Sequence, residues 1–196
     1  MSSPEPSDPE PSPEELSMPA HVYEGANAPA LLRAVFQNEE ARVALTALFD
    51  SGFEDLVTGG RASEYGALVE RFKLKYAAVD ENLAQIASRL PAALAPSVNS
   101  VLRLEGERAA LLLRVQVLRQ RLSMAELDQP DRPQMAQELG ALRKQMQSTM
   151  GEIAETLEEL RSEAADDEES IVHGEEQRAC AHVSSPPQCE CILVWR

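Results

Sequence analysis

Aromatic residues are scarce in this chain of 196 amino acids, where Phe, Tyr and Trp together make up 4%. Sheet sandwiches draw heavily on aromatic and β-branched side chains, so an aromatic-rich β architecture is not expected. Positive charge is also in deficit, with 18 Lys and Arg against 33 Asp and Glu, for a formal net charge of -15. Such a chain lacks the summed positive field on which non-specific attachment to nucleic acid or anionic membrane depends, so any such attachment needs a local basic stripe. Cysteine is absent before Cys180, and the three thiols Cys180, Cys189 and Cys191 are too few and too late in the chain to form a disulfide framework. Reduced thiols are expected. No stretch approaches the roughly 18 consecutive apolar residues of a transmembrane helix. The amino terminus shows neither an Arg-rich amphipathic pattern nor a basic flank leading into an apolar run, so no transit peptide or secretory signal is expected and the default compartment is intracellular.

Catalytic signatures are missing as well. No HExxH, GxGxxG, P-loop or GxSxG context is present, and His21, His173 and His182 all lie outside the periodic part of the chain. The acid pairs Glu39–Glu40 and Glu158–Glu159 are adjacent on helical sequence and point in different directions, a poor arrangement for flanking one reacting atom. They read as solvated helix face. No catalytic residue and no cofactor is expected.

What is present is unevenly charged. Residues 1–26 carry six acids and no base (-6), residues 166–196 carry seven acids and two Arg (-5), and residues 27–165 hold the remaining 20 acids and 16 bases (-4). The first 20 residues contain six of the 13 prolines, with almost nothing apolar to bury. Three parts follow: a disordered, acidic, Pro/Ser-rich tail over 1–27, a helical module over 28–164, and an acidic, Cys-containing flexible tail over 165–196.

Within the module four stretches carry helical periodicity. The first gathers Leu31, Leu32, Val35, Phe36, Val43, Leu45, Leu48, Phe49, Phe53, Leu56 and Val57 on a broad face; Pro29 suits its first turn, a bend is expected near Gly52, and Gly59 with Gly60 stops it. The second steps by threes and fours through Leu68, Phe72, Tyr76, Val79, Leu83, Ile86 and Leu90, with Ser63 as its candidate cap and Pro91 beyond its end. PAALAP, with Pro91 and Pro96, reads as a connection. The third runs from about Ser97 to Leu127 through Val101, Leu104, Leu111, Val115 and Leu118, interrupted by one charge, Arg108. After LDQPDRP the fourth steps from Met135 through Leu139, Leu142, Met146, Met150, Ile153, Leu157 and Leu160 to Ala164. Such strips need partners, and short loops favour antiparallel neighbours. The expected fold is all-α: an elongated antiparallel bundle, or coiled-coil hairpins, of about four long helices with disordered termini. Its seams close within one chain or against a second copy.

Several of these segments resemble the "required for excision 1-B" domain family over about residues 31–163. The resemblance is carried by Glu39, Glu40, Ala41 and Arg42 in the first stretch, Phe49, Gly52 and Phe53 near its end, Leu104, Glu105 and Glu107 in the third, and Leu157 to Arg161 at the close. It implies a nuclear, non-enzymatic accessory or adaptor role in DNA excision repair, acting through helical contacts with protein partners, repair factors among them. It supplies no catalytic residue. The periodicity alone supports a different reading, a general coiled-coil scaffold or assembly subunit unrelated to DNA and equally at home in the cytoplasm.

Candidate contact residues are few. Arg103, Arg108, Arg114, Arg119 and Arg121 outnumber the acids of the third stretch and could touch phosphates, although no aromatic residue accompanies them to stack on bases. The ordinary alternative is pairing with acids of neighbouring helices. Trp195 in the closing CILVWR is a candidate anchor for a partner. His173, Cys180, His182, Cys189 and Cys191 are zinc-ligand types, but their C-x-C and scattered spacing does not suit a structural zinc site, so no metal is expected.

Overall fold

The computed structural model describes residues 11–17, 20–124 and 130–183, the side chains of 20–21 and 165–183 excepted. Five α-helices follow in order: α1 (Pro13–Leu16), α2 (Ala28–Thr58), α3 (Tyr65–Ala87), α4 (Ala95–Met124) and α5 (Arg132–Val183). The architecture is an all-α elongated bundle, with no strand among the described residues. The four long helices run alternately up and down, so α2 and α4 are parallel and α3 and α5 oppose them. This arrangement buries each strip against its sequence neighbours.

Local signals explain most of the boundaries. Asn27 caps α2 by accepting a 3.0 Å hydrogen bond from the Ala30 amide, and Pro29 sits in the first turn where its missing N–H costs nothing. The helix ends at Gly59; Gly60 takes φ of 67°, and the Arg61 amide donates back to the Leu56 carbonyl at 2.8 Å. That left-handed closure favours glycine. The expected bend at Gly52 corresponds to no interruption of α2. Gly52 instead answers a packing demand: a Cβ built there would approach Leu68 Cδ1 of α3 to 3.0 Å, so glycine lets the two helices close.

Four further expectations are corrected. Ser63 does not cap α3; it lies inside a 3-10 turn, Ala62–Glu64, that leads directly into Tyr65. Pro96 belongs to the first turn of α4 rather than to a connection, and the PAALAP segment buries Leu94. The Pro/Ser-rich head is not structureless over its described part. Ser12 and Glu15 form a reciprocal capping box around Pro13–Leu16, and the Leu16 carbonyl accepts 2.7 Å from Asn82 of α3 while Tyr23 is buried in the core. Few apolar groups suffice when they reach an existing core. At the other end α5 continues as helix to Val183, past the boundary placed at 164. Residues 184–196, including Trp195, Cys189 and Cys191, lie outside the described residues.

The principal core gathers Leu31, Val35, Phe49, Phe72, Leu83 and Ile86 with Val98 and Leu160, so all four long helices contribute. Phe49 and Phe72 meet at 5.1 Å between ring centroids, and Phe53 meets Tyr65 edge-on at 5.6 Å. A second, smaller cluster, Leu111, Val115, Leu118 and Leu142, belongs to α4 and α5 alone. Among the described residues no helix is long and apolar enough to cross a membrane.

Candidate functional site

The chemistry of the bundle concentrates where α2, α3 and α4 meet. Arg42, 3% exposed, projects from α2 and gives its Nη2 to Asp80 of α3 at 2.5 Å. Its Nε stands 3.4 Å from Glu39 Oε1 and 3.9 Å from Glu105 of α4, within ion-pair range of both, but it makes no hydrogen bond. Glu105 is claimed more strongly by Arg108, whose Nη2 approaches it to 2.7 Å. One guanidinium is therefore shared among three carboxylates, and Glu39 has neither the close contact that Asp80 makes with Arg42 nor a second cation as near as Arg108 is to Glu105. Burial, incompletely offset by Arg42, pushes the Glu39 carboxyl up from 4.5 to about 7. The surrounding acids hold Arg42 above its ordinary value against the opposing effect of its burial.

A neutral chain of hydrogen bonds extends the cluster. The Thr46 hydroxyl donates to the Arg42 carbonyl at 2.9 Å, which uses its only proton. Tyr76 must then be the donor in its 2.9 Å contact with Thr46, while Arg108 adds a 3.3 Å bond to the same oxygen. Burial raises the Tyr76 phenol above its usual value. Further along the bundle, Tyr65 donates to the fully buried Gln116 at 2.9 Å, and Gln116 donates to Asp50, one turn beyond Thr46 on α2, at 2.8 Å. Burial, with the nearby Asp50 charge, pushes Tyr65 up to about 12.

Two openings flank the charge cluster. Toward α3 lies a cavity of about 300 Å³ with Phe49, Phe72 and Leu112 on its apolar wall and Arg42, Tyr76 and Arg108 at its polar end. Gly106 of α4 lines it, and a Cβ built there would meet no atom within 4 Å. Glycine in a helix interior costs about 1 kcal/mol relative to alanine. No close contact in the bundle requires it at this position. Toward α5 lies an open groove lined by Phe36, Val43, Met150, Ile153 and Leu157, with Glu39, Glu105 and Arg108 also reaching it. Val43 and Met150, which the periodicity assigns to the apolar strips of α2 and α5, are 65% and 49% exposed there.

The arginines singled out from the sequence are largely engaged with acids. Arg103 pairs with Glu107 at 2.6 Å and Arg108 with Glu105, both within α4. Arg114 faces Glu138 of α5 at 3.7 Å, and Arg119 holds Glu54 of α2 at 2.5 Å while covering the Phe53 ring. Arg121 is exposed near the end of α4. Only Arg108 joins the central cluster. Glu39 is the clearest departure from expectation: read as solvated face, it is buried, whereas its neighbour Glu40 is exposed. The signal in the sequence was the charge at 108, because a cation on an apolar seam requires an anion beside it. Among the described residues no group of three or more His, Cys, Asp or Glu side chains could hold a metal. The side chains of His173, Cys180 and His182, like Cys189 and Cys191, are outside the described set.

No protein-family model, no curated protein and no solved structure matches the chain.

Proposed function

We propose that the chain is a non-enzymatic helical scaffold that holds a protein partner in the groove between α2 and α5. The observation that carries this reading is the pair of exposed apolar rims, Val43 on α2 and Met150 on α5, facing a floor that includes Ile153. Large apolar side chains on both lips of one groove are what helix-in-groove recognition uses. The charged groups that line the groove are Glu39, Glu40 and Glu105 against Arg108 and Arg161, an excess of one acid, and outside that lining α5 exposes Glu152, Glu155, Glu158, Glu159 and Glu163. The fitting occupant is an amphipathic helix with an apolar stripe and basic flanks. Val43→Glu combined with Met150→Glu adds charge to both lips at exposed sites. Partners recovered by co-purification with the wild-type chain should be lost with the double variant at unchanged helicity and melting temperature. Identical recovery would refute the groove, and a dimer in light scattering that the double variant dissolves would assign it to a second copy.

A role in excision repair is the more specific proposal for such a scaffold. Its support is the resemblance, whose segments include Glu39, Arg42 and Glu105 of the buried cluster. Recovery of repair factors in the nucleus that increases after ultraviolet damage is the expected outcome; the same unrelated complex before and after damage leaves the general scaffold. Direct contact of the α4 arginines with DNA is a lesser part of the proposal, since it would compete with their pairing to Glu54, Glu105, Glu107 and Glu138.

A further inference from the structure

The cavity between α2, α3 and α4 is distinct from the docking groove and is not accounted for by bundle packing. Its volume of about 300 Å³ is that of a small-molecule site. Short residues stand on its solvent side, Ala77 of α3 and Gly106 of α4 exposed and Ala109 of α4 half-buried, and its lining includes Phe49, Phe72 and Leu112. The charged groups on its lining are Arg42, Lys73 and Arg108 against Asp80 and Glu105, an excess of one positive charge. Both acids are already held, Asp80 by Arg42 and Glu105 by Arg108. Lys73 has only a 3.5 Å exposed contact with Glu70 on its own helix, which an incoming anion can replace at little cost. The ion pairs around Arg42 fix the polar end from three helices, so the cavity is preformed and does not depend on the ligand to assemble it.

We propose that this cavity binds a small amphipathic anion, with an apolar or aromatic body against Phe49 and Phe72 and a carboxylate or sulfonate at the mouth beside Lys73. A cation would meet the net positive lining, and a purely polar ligand would leave the aromatic wall without a partner.

The test uses the full chain and 8-anilinonaphthalene-1-sulfonate, which joins an aromatic body to one anionic group. Saturable fluorescence enhancement at one site per chain is expected, with displacement by decanoate and much weaker displacement by decanol. Gly106→Leu places a side chain in the open space at the mouth and favours helix, so it should weaken binding at least about tenfold while melting at or above the wild-type temperature. Lys73→Glu should weaken it about threefold or more at low salt, with the difference shrinking as salt is added. Absence of saturable binding overturns the proposal, as does a folded Gly106→Leu variant that binds like wild type. Decanol displacing the probe as well as decanoate removes the anion from it. Loss of probe binding in Val43→Glu/Met150→Glu with retention in Gly106→Leu would place the site in the α2–α5 groove and likewise overturn it.

Discussion

The two ends of α4 live in different surroundings. Its first half, around Glu105 and Arg108, packs toward α2 and α3 and contains buried charges whose partners lie on α2 and on α4 itself, with Asp80 of α3 joined through Arg42. On one face its second half closes with α5 alone over the small cluster Leu111, Val115, Leu118 and Leu142, where the cross-helix ion pair Arg114–Glu138 is exposed. On the other face Gln116 and Arg119 reach α2 and α3, and the Arg119–Glu54 pair is itself partly exposed. A charge can be buried only where neighbouring elements supply counter-charges from several directions; where two helices meet alone, ions stay at the rim and an apolar strip does the holding.

Breaking the buried cluster should have the largest effect. Arg42→Ala leaves Glu39, Asp80 and Glu105 without their shared cation and is expected to cost about 3 to 5 kcal/mol in urea unfolding. A loss below about 1 kcal/mol would mean that the carboxylates escape to solvent and that the two halves of α4 do not differ as described.

The pH dependence of that cluster has a definite sign. Because Glu39 titrates at about 7 in the folded chain and near 4.5 when exposed, the folded state holds an extra proton between those values. Its contribution is fully present below about 4.5, is lost as pH rises to about 7, and stays lost above. Glu39→Gln removes the slope. Relative to wild type, the variant should gain up to about 3 kcal/mol between pH 4 and pH 8, read as the difference in unfolding free energies. A pH-independent difference would place Glu39 in water.

In the distal hairpin the expected effects are smaller. Leu142→Ala removes an apolar side chain from a cluster that can partly collapse, costing about 2 to 3 kcal/mol. Hydrogen exchange should then accelerate around 111–122 and 132–142 and stay slow near Leu83 and Ile86; uniform acceleration would erase the distinction between the two regions. Glu138→Gln should change stability by less than about 0.5 kcal/mol, since Arg114 and Glu138 are both exposed.

How legible this molecule was in its sequence follows from what each signal depends on. The steps of three and four from Leu68 to Ile86, or from Leu139 to Leu160, depend only on burial of one helical face, and all but Met150 of the residues at those steps are buried or half-buried. Gly52 could not be read this way, because a glycine that bends a helix and one that admits Leu68 look alike along one strand of sequence. Glu39 was hidden for a related reason: its burial is decided by Arg42 and by Glu105 and Arg108, which lie more than 60 positions away and reach it only through the fold. The Pro/Ser-rich head was misjudged on average composition, while Ser12, Glu15 and Leu16 act individually. Both openings depend on which helices leave space between them, which no single stretch of sequence records.

The position of Arg42 has one more consequence. Seams built from repeating Leu, Val and Ile are nearly self-similar, so a bundle relying on them could slide by one helical turn, about 5.4 Å, and still match apolar surface to apolar surface. The same slip would carry Arg42 away from Asp80 and Glu105 at once and leave charges buried without partners. The cluster therefore acts as a ruler, allowing α2, α3 and α4 a single alignment among several that their hydrophobic strips would accept.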